Sequence, residues 1–135
     1  MTRPRTALAL IAACGALAAP NVLAASNGVY TGKIKGANTN VTVKVKNNRV
    51  TRFTASISAS CGLSNFVTTV AYPPAGQRDK SARIRGGKFK VVFKGSPEVE
   101  ADRRTITGTF NGSRVNGTIK LEGPCSAEGK YSARR

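Results

Sequence analysis

Histidine and tryptophan are absent from this chain, and only six of its 135 residues are aspartate or glutamate. Without histidine there is no imidazole general base, no serine–histidine triad and no imidazole metal ligand. So few carboxylates make an oxygen cage for Ca²⁺ or Mg²⁺ hard to assemble. The nucleophile signatures G-x-S-x-G and S-x-x-K are missing, as are C-x-x-C, H-E-x-x-H and a phosphate-binding glycine loop ahead of a helix. A cysteine nucleophile would lack its histidine partner. The chain therefore reads as non-enzymatic and without a cofactor or metal.

Against these absences stand 22 Lys+Arg, for a formal charge of +16. Two of those cations, Arg3 and Arg5, precede the uncharged, mostly apolar stretch Ala7–Ala19, and Val22-Leu23-Ala24 follows with small residues at −3 and −1. This is the pattern of a secretory signal over residues 1–24, cleaved after Ala24 or Ala25. The run falls short of the roughly 20 apolar residues of a spanning helix. A second reading takes Ile11-Ala12-Ala13-Cys14 as a lipobox with lipidation at Cys14. In either case residues 25–135 form one domain destined for the cell envelope or beyond.

Residues 25–135 hold 11 Val, 5 Ile and 11 Thr but only two leucines, Leu63 and Leu121. That is a strand composition, because β-branched side chains suit a pleated surface and crowd a helix. No window has the i, i+3, i+4, i+7 spacing of an amphipathic helix. Period-2 alternation recurs instead. Tyr30, Gly32 and Ile34 share a face, and Val41, Val43 and Val45 alternate with Thr42, Lys44 and Lys46. Asn47-Asn48 suits a two-residue hairpin. Phe53, Ala55, Ile57, Ala59 and Cys61 then keep one phase, with Val50 out of step, so a β-bulge is expected near Thr51-Arg52. Further strands are expected over Phe66–Tyr72, Ser81–Arg85, Lys88–Lys94, Arg104–Phe110, Val115–Leu121 and about Glu128–Arg134. The expected fold is an all-β antiparallel barrel or barrel-like sandwich of eight or nine short strands.

Two cysteines, Cys61 and Cys125, remain after residue 24. In an oxidising compartment they are expected to form one disulfide, the alternative being two buried thiols. A strict up-and-down meander puts the ends of the third and eighth strands at opposite ends of the barrel, beyond the roughly 7 Å Cα separation a disulfide allows. The strand count, the meander or the disulfide must therefore yield. Pro73–Lys80 and Gly95–Arg103 are the candidate non-hairpin crossings.

The frame G-V-Y-T-G-K (Gly28–Lys33), V-K-N-N-R-V-T-R-F (Val45–Phe53), Cys61, I-R-G-G-K-F (Ile84–Phe89), I-T-G-T-F-N-G-S-R-V-N-G-T-I (Ile106–Ile119) and C-S-A-E-G-K-Y-S-A-R (Cys125–Arg134) resembles a type of small secreted bacterial β-domain of unassigned function. Its shared features are turn glycines, inward aromatics and the cysteine pair. The resemblance implies a fold and no activity.

The cations are placed informatively. Pairing across Gly86-Gly87 sets Arg85 opposite Lys88 and Arg83 opposite Lys90, with Ile84 and Phe89 on the other face. Lys44, Lys46, Arg49 and Arg52 form a second ladder, and Lys33 and Lys35 repeat the pattern. Directly opposed like charges are destabilising, and an anion lying across them would relieve the repulsion. A solvated face screened by salt is the plainer reading. Extracellular anions such as wall polymers, acidic polysaccharides and lipid headgroups suit the first reading. Nucleic acid does not, because no aromatics interleave the basic face. A small-ligand carrier with an interior cavity near Gly32, Gly108 and Gly117 is the alternative function. The acidic cluster Glu98, Glu100 and Asp102 reads as a loop that offsets Arg103 and Arg104, or else as a weak Ca²⁺ or acid/base site.

Overall fold

The computed structural model describes residues 24–95 and 102–135. The leader reading, with its alternative at Cys14, and the acids Glu98 and Glu100 lie outside the described residues. No described helix is long and apolar enough to cross a membrane.

Nine strands follow in chain order: β1 (Gly28–Ile34), β2 (Asn40–Lys46), β3 (Arg49–Cys61), β4 (Ser64–Tyr72), β5 (Ala82–Arg83), β6 (Lys88–Lys94), β7 (Arg103–Asn111), β8 (Arg114–Glu122) and β9 (Ala127–Arg134). They form a single antiparallel sheet in the order β4-β3-β2-β1-β9-β8-β7-β6, with β5 also paired to β3. The sheet curls into a half-barrel rather than splitting into a sandwich.

Strand alternation sets the inside. Tyr30, Val43, Phe53, Ile106, Phe110, Val115 and Ile119 are almost fully buried. Each contributes about 1.5–3 kcal/mol by leaving water. The aromatic rings meet edge-on, Tyr30 against Phe110 and Phe53 against Tyr131, both with centroids 5.3 Å apart. The bulge restores Val50 to this face: Lys44 stands opposite Arg52 but Val45 opposite Val50, leaving Thr51 as the extra residue.

The meander is what yields. β6 and β7 are antiparallel neighbours, and most of the other candidate crossing, Gly95–Arg103, lies outside the described residues. β4 and β5 both run antiparallel to β3 along the same edge, so they point the same way and Pro73–Lys80 is a same-direction connection rather than a hairpin. That one connection reverses every later strand relative to a strict meander. β3 and β8 then finish at the same end, where Cys61 and Cys125 are disulfide-bonded with Cα atoms 4.3 Å apart. β3 outruns β2, whose last partner is Ala55, and its tail exchanges two backbone hydrogen bonds of 2.9 Å between Ser60 and Ser126.

The sheet edges β4 and β6 do not pair with each other. The Tyr72 and Phe93 rings, 5.6 Å apart, and a hydrogen bond from Arg104 to the Thr69 carbonyl close the seam between them. Leu63, Phe66 and Val67 are exposed at the tip of the β3–β4 hairpin.

Gly108 and Gly117 leave no room inside. A Cβ on Gly108 would stand 2.2 Å from the Phe89 ring and 2.7 Å from the Tyr131 hydroxyl, and one on Gly117 would meet the same tyrosine at 2.7 Å. Gly32 allows close backbone approach to Ser132. The glycines the carrier reading needed as space are thus covered by aromatic rings and backbone.

Candidate anion-binding site

Tight turns build one end of the half-barrel. Asn47 and Asn48 take φ of 51° and 57°, and Gly86 and Gly87 take 55° and 72°, the left-handed values a two-residue hairpin requires. These turns are stitched to neighbouring strands. The Ile84 amide donates to the Asn48 carbonyl at 3.0 Å, and Asn48 Nδ2 donates to the Ile84 carbonyl at 3.0 Å. The Phe110 amide donates to the Gly87 carbonyl at 2.7 Å, and the Arg135 amide to the Ser113 carbonyl at 2.9 Å.

The stitched turns bring together cations that are far apart in sequence. Arg85 bridges to Lys88 as the alternation predicts. Beyond that bridge no ladder pair joins Arg83 to Lys90. Arg83 pairs instead with Arg49 of β3, and β5 is only two residues long. β3 continues past the last partner it has in β4, and its free backbone groups there capture β5. This pairing joins the two ladders: Lys46, Arg49 and Arg83 form one row across β2, β3 and β5, with Lys44 opposite Arg52 beside it. Arg49 is further held by a 2.7 Å bond from Nε to Ser81 Oγ. Burial raises the pKa of the adjacent Tyr72 phenol, and the Arg49 charge draws it partly back.

Charge is sorted along the barrel axis. Five like-charged cross-strand pairs lie at the turn end: Lys44–Arg52, Lys46–Arg49, Arg49–Arg83, Arg85–Lys88 and Arg114–Arg134. At the disulfide end, opposite charges face each other in Arg103–Glu122 and Lys120–Glu128, while Lys94 also stands opposite Arg103. The two described salt bridges are there too, Arg104–Asp102 at 3.5 Å and Lys120–Glu122 at 3.0 Å. Asp102 thus offsets a cation, as the loop reading of the acidic cluster holds.

Arg83, Arg85, Lys88 and Lys90 do surround one surface depression of about 600 Å³, although by a different pairing from the expected one. Thr107 and Thr109 of β7 share it. A second open depression, of about 810 Å³, continues from the same threonines across β8 and β9 to Lys130, Lys33 and Lys35. Arg52 lies apart from both, in a smaller depression with Arg78 and Pro73-Pro74. The part of the surface that sequence reasoning missed is the uncharged floor of Thr107, Thr109, Asn116, Thr118 and Ser132, together with the Arg114–Arg134 pair. Alternation marks these residues as outward, but only the β7–β8–β9 pairing makes them neighbours.

Fold and surface together define a small all-β half-barrel with one basic end. Comparison with protein-family models, curated proteins and solved structures finds no match to this chain.

Proposed function

We propose that this chain is an exported, non-catalytic module that binds anionic envelope polymers or headgroups through the cations of its turn end. The observation that carries the reading is the sorting of charge, with five like-charged cross-strand pairs at that end against one, Lys94–Arg103, at the other, where two opposite-charged pairs lie beside it. Each opposed like-charged pair costs up to about 1 kcal/mol. A positive charge serving only solubility is dispersed at no such cost, whereas an anion laid across the pairs turns repulsion into attraction and releases condensed counterions. The buried aromatic rings leave no stacking platform beside the ladder, which favours a polymer without bases.

The test is retention on a dextran sulfate resin against a salt gradient. The wild type elutes late, with an affinity that falls steeply as salt rises. R83E/R85E/K88E/K90E elutes early, and a variant reversing four cations distributed elsewhere, R78E/K80E/K94E/K120E, loses less. Equal losses in the two variants reduce the binding to net charge and overturn the site.

A further inference from the structure

We infer that the turn-end site extends into a trough across β6, β7, β8, β9 and β1 that takes an acidic polysaccharide, a linear chain with spaced negative charges and hydroxyl-rich segments between them. The inference rests on the anion-binding reading and gives it a ligand class.

The strand register lays two rows across the outer face. One runs Lys90, Thr107, Thr118, Lys130, and the other Lys88, Thr109, Asn116, Ser132, Lys33. Each row starts and ends in a cation and has only hydroxyls or an amide between. With neighbouring strands about 4.8 Å apart, the end cations are roughly 14 Å apart in the first row and 19 Å in the second. The depressions of about 600 and 810 Å³ meet at Thr107 and Thr109, so the rows line one continuous trough. No aspartate or glutamate lines either depression.

The chemistry of the floor selects among polyanions. Polyphosphate carries charge on every unit and would be left with bare anions over β7 and β8. A nucleic acid would want rings to stack on, and the two aromatics that touch the trough, Phe89 and Tyr131, are buried. A glycan with carboxylates or sulfates sets hydroxyls over the floor and charges over the lysines. The floor is also ordered in advance. Thr107 Oγ1 and Thr118 Oγ1 are 2.7 Å apart, and the Thr118 amide donates to Thr107 Oγ1 at 3.3 Å. The two hydroxyls share one proton between them, which leaves the other to donate to an incoming oxygen. Beneath them, Tyr131 Oη donates to the Thr107 carbonyl at 2.9 Å, and burial raises that phenol's pKa, so it remains a neutral donor.

The experiment measures the affinity of the full-length mature chain for hyaluronan oligosaccharides, in which glucuronate alternates with an uncharged sugar, and for polyphosphate and a single-stranded oligonucleotide, at one ionic strength, by calorimetry. T107V/T118V keeps shape and removes the hydroxyls. It is expected to weaken hyaluronan binding about tenfold, in line with lost hydrogen bonds, and to leave polyphosphate binding within about twofold. T107S/T118S, which keeps the hydroxyls, retains hyaluronan affinity. K33E/K130E weakens hyaluronan binding more than T107V/T118V does. Unchanged hyaluronan affinity in a folded T107V/T118V overturns the glycan assignment, and a further collapse of polyphosphate binding in R83E/R85E/K88E/K90E in that case shows the anion reading standing alone. Tighter binding of the oligonucleotide than of hyaluronan overturns the ligand class in favour of nucleic acid. Hyaluronan binding that survives R83E/R85E/K88E/K90E while K33E/K130E abolishes it overturns the turn-end site itself.

Discussion

Gly108 and Gly117 are neighbours on adjacent strands, and between them they let Tyr131 and Phe89 fill the interior. The tyrosine reaches over both glycines to the Thr107 carbonyl, so the shape of the trough floor is set from inside. Gly108→Ala therefore has to displace a packed ring, and a loss of about 1–3 kcal/mol is expected. Gly117→Ala is expected to lose more, because its Cβ would fall 1.9 Å from the Thr107 carbonyl oxygen, a backbone atom that cannot rotate away. Urea unfolding midpoints measure both, and the carrier alternative gains ground only if Gly108→Ala is tolerated without loss. Sequence alternation identified both glycines as inward but could not say what faced them. A missing side chain looks the same from the sequence whether the space is empty or occupied.

The strand and turn pattern was legible wherever it depended on near neighbours. The phase slip between Val50 and Phe53 implied the bulge at Thr51, and Asn47-Asn48 and Gly86-Gly87 implied their turns, because a two-residue hairpin demands left-handed backbone at both positions. The partner of Arg83 was not legible. Hairpin geometry from Gly86-Gly87 points it at Lys90 and carries no sign of the free edge of β3, which pairs with its other side. The like-charged pairs that result make a specific stability prediction. Arg134→Glu, opposite Arg114, should raise stability by up to about 1 kcal/mol at low salt. The unfolding midpoint of the wild type should rise as salt goes from about 10 mM to 0.5 M, since screening shortens the reach of repulsion from about 30 Å to a few. The gain from Arg134→Glu should shrink over the same range, and a midpoint indifferent to salt would mean that the pairs exert no force on each other.

For the molecule as a whole, the disulfide ties the long β3 to the segment leading into β9 and closes a loop of 64 residues. Cys61→Ala with Cys125→Ala is expected to lower stability by about 4 kcal/mol in the chain-entropy account of cross-links. The turn-end cations lie at the far end of the barrel, so polyanion retention by the folded fraction should be unchanged. Denaturant unfolding and resin retention on the same preparation separate the two effects.

The sequence alone determined an all-β chain, the faces of its strands, its turns, its cysteine pair and an excess of cations on outward positions, because each of these depends on a residue and its near neighbours. Only the tertiary structure decided that the ladders merge through Arg49 and Arg83, that Arg114 meets Arg134, and that uncharged hydroxyls lie between Lys90 and Lys130. Those contacts join residues about 20 to 40 positions apart in the chain. They follow from two facts no local pattern carries: the direction the chain keeps across Pro73–Lys80, where a hairpin would reverse it, and the unpaired edge that β3 offers beyond the end of β4.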